Sequence, residues 1–340
     1  WLQKQSALGE LLDFEYEKQG LSALYRASDR LWQQHQAIEA FLYKQHLAWF
    51  EFEERITLYD LTNTFFEGTG KYNDLAAYGH SKERRNDCPL VTLALVLDGS
   101  GFSTRSRIFP GNVSEPTTLQ QMIEQLRSPV DPNAPNPRHD ETPEKSQSLD
   151  LRPLPIIVMD AGIASEENIQ WLKDQGYHYL VVSRKRHTEF DEACCVMVKE
   201  REHDIVRAMR LERDNGEVEL YCHSSRKAAK EAAMQQRFSG RLEAELQHLA
   251  EGLQQPRRLK NAKKVCEKIG RLRQKYSRAS RYYEITIETD EAEQKATAIQ
   301  YKRIDLKDED PNAHPGVYCL RSNLLQWDEQ QLWSTYTMLT

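Results

Sequence analysis

The chain is 340 residues long, 39% hydrophobic and 29% charged, with a net charge of −6. This length allows two or three domains with a substantial core, and the composition is ordinary for a globular protein. The apolar run at 90–97 is too short to cross a bilayer, and the six cysteines show neither a C-x-x-C pair nor a metal-ligand spacing, so membrane and zinc-site classes are excluded and a reduced, cytoplasmic setting is expected.

The beginning of the chain is predicted to be helical, from residue 1 to 54. Apolar residues recur there at helical spacing; they are Leu8, Leu11, Leu12, Leu31, Ile38 and Leu42. The chain opens at Trp1 rather than at a methionine and shows no signal-peptide pattern. We therefore expect a fragment or a gene remnant.

The pattern changes to strands after residue 54. Strands are predicted at 55–61, 89–97 and 102–109, with Val91, Leu93, Leu95 and Leu97 on one apolar face. Residues 98–101 read as a hairpin turn with Asp98 as its turn residue. A helix follows, capped by Ser114, with Pro116 in its first turn.

The second α/β stretch begins after a proline-rich segment. Residues 128–153 mix five prolines with polar residues, which predicts a flexible insertion. Residues 154–160 form a continuous apolar run, as expected for a strand buried on both faces. A helix capped by Ser165 and ended by Gly176 leads into a strand at 177–183.

The remainder is predicted to be a β-rich region with a helical hairpin. Its strands are placed at 189–199, 204–211, 218–223, 282–288, 296–303 and 316–320, and a last helix starts near Asp328. Pro256 separates the two helical arms. The predicted apolar stripes are Leu242, Leu246, Leu249 and Leu253 in the first arm, and Leu259, Ala262, Cys266 and Ile269 in the second.

Two apolar strands run directly into aspartates, Asp60 and Asp160. A carboxylate at the end of an apolar strand is costly unless a charged or polar group meets it. A crossover through the helix near 115–127 would make the two strands parallel and bring both acids to one sheet edge. Such a pair suits a divalent cation for phosphodiester chemistry. The alternative is that each aspartate merely caps its strand or turn.

Positive charge is concentrated in two segments in spite of the negative total. Residues 257–281 hold eleven lysines and arginines against one acid, Glu267, which suits DNA phosphates, and tyrosines nearby suit stacking. A second basic group lies at 80–85. The alternative for both segments is a solvated charged surface. The candidate DNA-binding residues are His80, Lys82, Arg84, Arg85, Arg257, Arg258, Lys263, Lys264, Arg271, Arg273 and Lys275.

Five blocks in order resemble the bacterial DDE transposases of the IS4-type superfamily, closest to its IS1634-like branch. They are residues 59–68 (YDLTNTFFEG), 79–87 (GHSKERRND), 109–112 with 117–119 (FPGN, TTL), 159–162 with Ser165 and Asn168 (MDAG), and 316–323 (GVYCLRSN). Any one block alone would be a weak match, whereas the ordered set is specific.

The resemblance implies an α/β fold: an RNase H-like mixed sheet with flanking helices, interrupted by a β-rich insertion with a helical hairpin. The implied division is a helical region at 1–54, a first core part at 55–184, the insertion at 185–314 and the start of a last core segment at 315–340.

The resemblance also implies the chemistry of the site. Asp60 and Asp160 take two of three acid roles and bind two Mg²⁺ or Mn²⁺ ions, Asp60 bridging both and Asp160 binding one. Asn63 and Asn112 are supporting candidates that orient Asp60 or a phosphate; the alternative is a turn role. Glu115 stands where the family commonly has an aspartate.

The third acid of the family is a glutamate in a Tyr-x-x-Arg-x-x-x-Glu spacing. Tyr336 matches the tyrosine, Leu339 stands in place of the arginine, and the chain ends before the glutamate. We therefore expect this fragment to lack one catalytic acid and to be inactive.

The function expected from the resemblance is metal-dependent cleavage and strand transfer by an insertion-sequence transposase. Its partner would be double-stranded DNA, both the element ends and the target, with a homodimer on DNA as one assembly. It would work in the bacterial cytoplasm at the nucleoid. The alternatives are a metal-dependent nuclease and a non-catalytic DNA-binding remnant.

Overall fold

The computed structural model describes residues 7–13, 20–49, 56–83, 85–127, 154–183, 189–202, 204–306 and 314–339. Two compact units divide the chain, one of residues 1–181 with 335–340 and one of residues 182–334. The predicted flexible insertion at 128–153 lies outside the described residues. The functional division at residues 54, 184 and 314 stays a prediction.

Helices open the first unit, as the sequence predicts. They are α1 (Leu8–Leu11), α2 (Leu21–Gln33) and α3 (His35–Trp49). The apolar stripe does not enter a core, because no residue of α2 is buried and Leu31 is 62% exposed. Across the described part of the chain, no helix combines the length and the apolar character needed to span a membrane.

A five-stranded mixed sheet forms the centre of the first unit. Its strands are β1 (Ile56–Phe65), β2 (Leu90–Asp98), β3 (Ser103–Pro110), β4 (Ile156–Met159) and β5 (His178–Ser183). They lie in the order β3-β2-β1-β4-β5. β1 is antiparallel to β2 and parallel to β4, and β4 is parallel to β5. This mixed α/β arrangement is compatible with an RNase H-like fold.

Two helices, α4 (Glu115–Arg127) and α5 (Glu166–Asp174), pack against this sheet. Their buried residues share one core with residues from the central strands. Those residues are Leu119, Met122, Ile123, Ile169 and Leu172 from the helices, and Tyr59, Leu61, Ala94, Val96, Ile157 and Met159 from the strands. Ser165 caps α5 as predicted, since its hydroxyl accepts a hydrogen bond from the Asn168 N–H at 3.2 Å.

The sequence places Val91, Leu93, Leu95 and Leu97 on one face of β2, and the opposite face is the more deeply buried one. Ala94 and Val96 are wholly buried, whereas Leu93, Leu95 and Leu97 are only half-buried. Both faces of this strand are apolar in sequence. The face that carries Ala94 and Val96 packs into the core shared with α4 and α5. The turn role of Asp98 is confirmed, because its Oδ1 accepts hydrogen bonds from the main-chain N–H groups of residues 100 and 102.

An antiparallel sheet opens the second unit. It consists of β6 (Val196–Lys199), β7 (Val206–Arg213), β8 (Glu217–Ser224) and β11 (Val317–Ser322), in the order β11-β8-β7-β6. The strand predicted from residue 189 is wrong in its first half, where residues 192–194 form a short 3-10 turn. A buried ion pair joins β11 to β8: Arg321 donates to Glu217 at 2.5 and 2.9 Å.

The helical hairpin of the second unit is α6 (Ser225–Gln254) and α7 (Ala262–Lys275), followed by α8 (Ser277–Ser280). A two-stranded sheet, β9 (Tyr283–Thr289) with β10 (Ala296–Arg303), packs on it, and α9 (Glu329–Thr337) comes last. The first-arm leucines are buried as predicted.

The second arm buries one residue of the predicted stripe, Ile269, together with Val265 and Leu272, which were not predicted. Cys266 is exposed. The helix begins after Asn261, whose side chain accepts from the Lys264 N–H.

Candidate active site

Asp60 and Asp160 lie beside each other in the first unit. β1 and β4 run parallel with Tyr59 opposite Met159, so each aspartate directly follows a residue of this last pair. Neighbouring strands are about 4.8 Å apart. The side chain of Asp60 leaves the sheet on the face opposite Tyr59, because successive side chains in a strand alternate. Residues one hundred positions apart in sequence thus become neighbours at one sheet edge.

Both carboxylates are exposed rather than buried. The sequence suggested that these carboxylates would need a charged or polar partner to offset the cost of burial. Because water reaches both of them, that cost does not arise. Asp60 Oδ1 accepts from the Leu61 N–H at 2.8 Å, and Asp160 Oδ1 accepts from the Ala161 N–H at 2.6 Å. One oxygen of each carboxylate thus makes the local main-chain bond expected if the aspartate caps its strand or turn. Among the described residues, no hydrogen bond to either Oδ2 atom is found.

The oxygen donors of these two carboxylates suit a hard divalent cation. Mg²⁺ prefers oxygen ligands and is commonly held by one or two carboxylates together with waters and substrate phosphates. Within the described part of the chain, no group of three or more His, Cys, Asp or Glu residues is placed to hold a metal ion. Asp60 and Asp160 would therefore hold an ion together with the DNA phosphate rather than in a closed protein cage.

A lysine and a glutamate lie close to the aspartate pair. The Lys82 ammonium donates a hydrogen bond to the carbonyl of Leu61, the residue after Asp60. It also lies 3.8 Å from Glu115 Oε1. The other oxygen of Glu115 reaches Gly162, where an added Cβ would lie under 3.0 Å from it. Positive and negative groups from three segments thus meet next to the aspartates.

Buried hydrogen bonds anchor the segment that carries Glu115. The Tyr59 hydroxyl donates to Thr118 Oγ1 at 2.7 Å, and Thr118 in turn donates to the Glu115 carbonyl at 2.7 Å. Burial raises the pKa of Tyr59, so its phenol stays protonated as the donor of this chain. The Asn168 side-chain amide donates to the carbonyls of Pro116 and Ile163, both at 2.8 Å. The start of α4 is thereby tied to β1 and to the turn after Asp160.

The loop that carries Lys82 is held by Asn63 on β1. The Asn63 amide donates to the His80 carbonyl at 3.1 Å and accepts from the Lys82 N–H at 3.3 Å. In this structure Asn63 therefore positions the loop; its predicted contact with Asp60 or a phosphate stays a prediction. The His80 side chain is exposed, as a phosphate contact requires.

The same loop packs closely on the turn that contains Asn112. A Cβ on Gly79 would lie under 3.0 Å from the carbonyl of Gly111, and a Cβ on Gly111 would meet the carbonyls of Ala77 and Leu90 as closely. Only glycine allows this backbone approach. Asn112 itself is exposed beside it, and its supporting role stays a prediction.

Arg85 is engaged within its own loop. Its guanidinium donates to both oxygens of Asp87 at 2.9 and 3.0 Å and lies over the Phe65 ring, 4.5 Å from its centroid. These hydrogen bonds lower the pKa of Asp87 to about 2. Asp87 therefore already neutralises part of the positive charge that was predicted to contact DNA. Arg84 lies outside the described residues.

The predicted basic arm of the second unit presents its charges to solvent. All of its candidate residues are exposed; they are Arg257, Arg258, Lys263, Lys264, Arg271, Arg273 and Lys275. Lys275 pairs with Glu245 at 3.3 Å, and Arg273 donates to the Ile285 carbonyl at 3.4 Å. Their DNA contacts stay predictions. Tyr336, the last supporting candidate, is half-buried on α9.

The sequence did not single out the anchoring residues Tyr59, Thr118 and Asn168, or the role of Gly162. Asn168 was part of a recognised block, but its buried position could not be seen there. One signal was present in the sequence. Thr118 is a polar residue on an otherwise apolar helix face, between Pro116 and Leu119.

Comparison with known proteins identifies one family. A family model described as a transposase DDE domain matches residues 51–303, which is well over half of the chain and includes both aspartates, Lys82 and Glu115. No curated protein matches the chain.

Proposed function

Because the chain belongs to the transposase DDE domain family, we propose that it cuts and joins DNA strands with divalent metal ions held by Asp60 and Asp160. Domains of this family generally use such ions, and a transposase acts on DNA. The observation that carries the assignment of the residues is the parallel register of β1 and β4, which makes the two exposed aspartates neighbours.

The chemistry divides between the ions and the protein. When bound, the ions activate the attacking water or 3′-hydroxyl and neutralise charge on the phosphate and the leaving oxygen. Asp60 and Asp160 supply the carboxylate oxygens, and their Oδ1 bonds to the Leu61 and Ala161 N–H groups hold both side chains in place. The sheet beneath them is a packed core, so their spacing is fixed before DNA binds.

The finer parts of the proposal rest on the five sequence blocks. By their resemblance, the chain would belong to the IS4-type superfamily, in its IS1634-like branch, with two Mg²⁺ or Mn²⁺ ions as cofactors. Double-stranded DNA of the element ends and of the target is the proposed substrate, and a homodimer on that DNA in the bacterial nucleoid is the proposed working form. Exposed cations of the basic arm would contact the DNA backbone.

The test compares aspartate variants in nicking of supercoiled plasmid with Mn²⁺, by the purified protein extended through the glutamate that the resemblance places after residue 340. Asp60→Asn and Asp160→Asn should each lower nicking by at least about 10³-fold, because a metal ion contributes several kcal/mol of charge stabilisation. Binding of a fluorescent duplex in Ca²⁺ should remain. Asp214→Asn, in the exposed turn after β7, is the matched control and should nick normally.

Strand transfer separates a transposase from a nuclease. A labelled DNA end with a 3′-hydroxyl should be joined to the plasmid, and the same end with a 3′-dideoxy terminus should not. Nicking without joining would favour the nuclease alternative. Normal nicking by Asp60→Asn would refute the assignment of the aspartates.

A further inference from the structure

The pair formed by Lys82 and Glu115 is placed for a task beyond general DNA attraction. Its ammonium is fixed at two points, on the Leu61 carbonyl and beside Glu115 Oε1. Leu61 is the residue whose N–H is bound by Asp60, so Lys82 and Asp60 hold opposite ends of the same residue's backbone. A lysine that served only as a solvated surface charge would have no such fixed place.

Glu115 is held just as firmly from the other side. Its carbonyl accepts from Thr118, and the next residue's carbonyl accepts from the buried side chain of Asn168. Its carboxylate occupies the space over Gly162, two residues after Asp160, which only a residue without Cβ leaves open. Two structural features, a buried hydrogen-bond chain and a close approach at glycine, therefore place one half-exposed carboxylate.

A cation at this place meets the charge that develops during the reaction. In a phosphate bound beside Asp60 and Asp160, negative charge would develop on the leaving oxygen as its bond to phosphorus breaks, and a nearby ammonium would stabilise that charge. Lysine offers three donors at the end of a flexible stem, so Lys82 can turn from Glu115 to a phosphate oxygen over a short distance. Glu115 keeps the ammonium near the aspartates until DNA arrives.

We propose that Lys82 is a catalytic residue that contacts the reacting phosphate, and that Glu115 is the positioning residue that holds it beside Asp60 and Asp160. This inference rests on the proposed function. It assigns Lys82 to the reaction centre itself, whereas the sequence predicted only a DNA-phosphate contact from a loop beside the first catalytic strand.

The first test uses the same extended protein and measures plasmid nicking with Mn²⁺ and, separately, affinity for a fluorescent random-sequence duplex in Ca²⁺. Lys82→Met should lower nicking about 10²-fold, as loss of one preorganised charge at a transition state does, while duplex affinity falls less than about threefold, the loss of a single phosphate contact. Lys82→Arg should nick at least about tenfold faster than Lys82→Met, because the charge is kept. Lys71→Met, in an exposed turn, is the control.

The second test asks whether Glu115 acts through Lys82. Glu115→Gln should lower nicking about tenfold in the normal background and should have no further effect in Lys82→Met, since residues that act as a unit are non-additive. Gly162→Ala should reproduce Glu115→Gln, because its Cβ displaces that carboxylate. Gly240→Ala, where a Cβ meets nothing within 4 Å, is the matched control and should be silent.

A third measurement is independent of activity. Free Mn²⁺ followed by electron paramagnetic resonance should show binding retained within about threefold in Lys82→Met and Glu115→Gln, and lost in Asp60→Asn. Loss of Mn²⁺ binding in Glu115→Gln would make Glu115 a metal ligand and overturn the positioning role. Normal nicking by Lys82→Met, or a loss of duplex affinity as large as its loss of nicking, would overturn the catalytic role.

The two proposals fail in different ways. If Asp60→Asn nicks normally, the proposed function is refuted whatever Lys82 does. If Asp60→Asn is inactive and Lys82→Met is normal, only the inference on Lys82 and Glu115 is refuted.

Discussion

The basic face of α7 allows a quantitative test of DNA binding. Lys264, Lys268, Arg271 and Lys275 are spaced by four, three and four residues, so they form one stripe along the helix. All four are exposed, but Lys275 is paired with Glu245 at 3.3 Å. Among the described residues, no acidic group within 4.0 Å pairs with the other three. These three are therefore the cations of the stripe most available to phosphates.

The perturbation is the triple change of Lys264, Lys268 and Arg271 to glutamine. Glutamine has nearly the helix propensity of lysine and arginine, and the buried side of α7 is untouched, so the fold should be retained. Each lost phosphate contact lowers the slope of log Kobs against log salt by about 0.9. Three contacts therefore lower it by about 2.7, and raising salt fourfold should cost the wild type about 40-fold more affinity than the variant.

The assay is fluorescence anisotropy of a labelled duplex at several salt concentrations. The matched control is the triple change of Arg226, Lys230 and Arg237 to glutamine, which removes the same charge from exposed positions on α6 in the same unit. An unchanged slope in the α7 variant, or an equal change in the α6 control, would refute the reasoning. The arm would then be a solvated surface, and its charge would affect DNA binding only through the net charge of the protein.

Three further predictions concern single contacts. Arg321→Met should destabilise the protein by about 3–5 kcal/mol in urea unfolding, because Glu217 is left buried without its partner; Arg321→Met with Glu217→Leu should recover most of this loss, and an equally unstable double variant would contradict the argument. Asp87→Asn should steepen the salt dependence of DNA binding by about one contact, since it releases Arg85; an unchanged slope would show that Arg85 does not reach DNA. The pKa of Tyr59 is raised by burial, so the folded state holds a proton that the unfolded state loses above pH about 10. Stability from this group is therefore present below that pH and lost above it, and alkaline unfolding monitored by circular dichroism should be weaker in Tyr59→Phe; equal alkaline sensitivity of both proteins would contradict this.

Local pattern determined most of the secondary structure. The strands at 90–98, 103–110 and 178–183 and the helices at 115–127 and 166–174 follow from apolar periodicity, turn residues and caps that act within a few positions, whereas the strand predicted at 55–61 continues to residue 65. The turn at Asp98 and the cap at Ser165 have the predicted bonds. These features are predictable because their causes lie next to each other in sequence.

Choice of face was not determined locally. β2 is apolar on both sides, and only the packing of α4 and α5 decides that Ala94 and Val96 enter the core. In α7, the predicted stripe is wrong at Cys266, because Val265, Ile269 and Leu272, spaced by four and three residues, form the face that packs into the core. The exposed stripe of α2 shows the same limit, since helical spacing alone does not bury a face.

The candidate site divides in the same way. The sequence by itself singled out Asp60 and Asp160, because an apolar run followed by a carboxylate is visible in a single segment, although β1 continues past Asp60 to Phe65. Only the tertiary structure placed Lys82, Glu115 and Gly162 beside them and showed Tyr59, Thr118 and Asn168 as their anchors. The physical reason is that these contacts join segments about thirty to sixty residues apart, from Lys82 with Glu115 to Tyr59 with Thr118, and their polar groups meet only once the chain has folded.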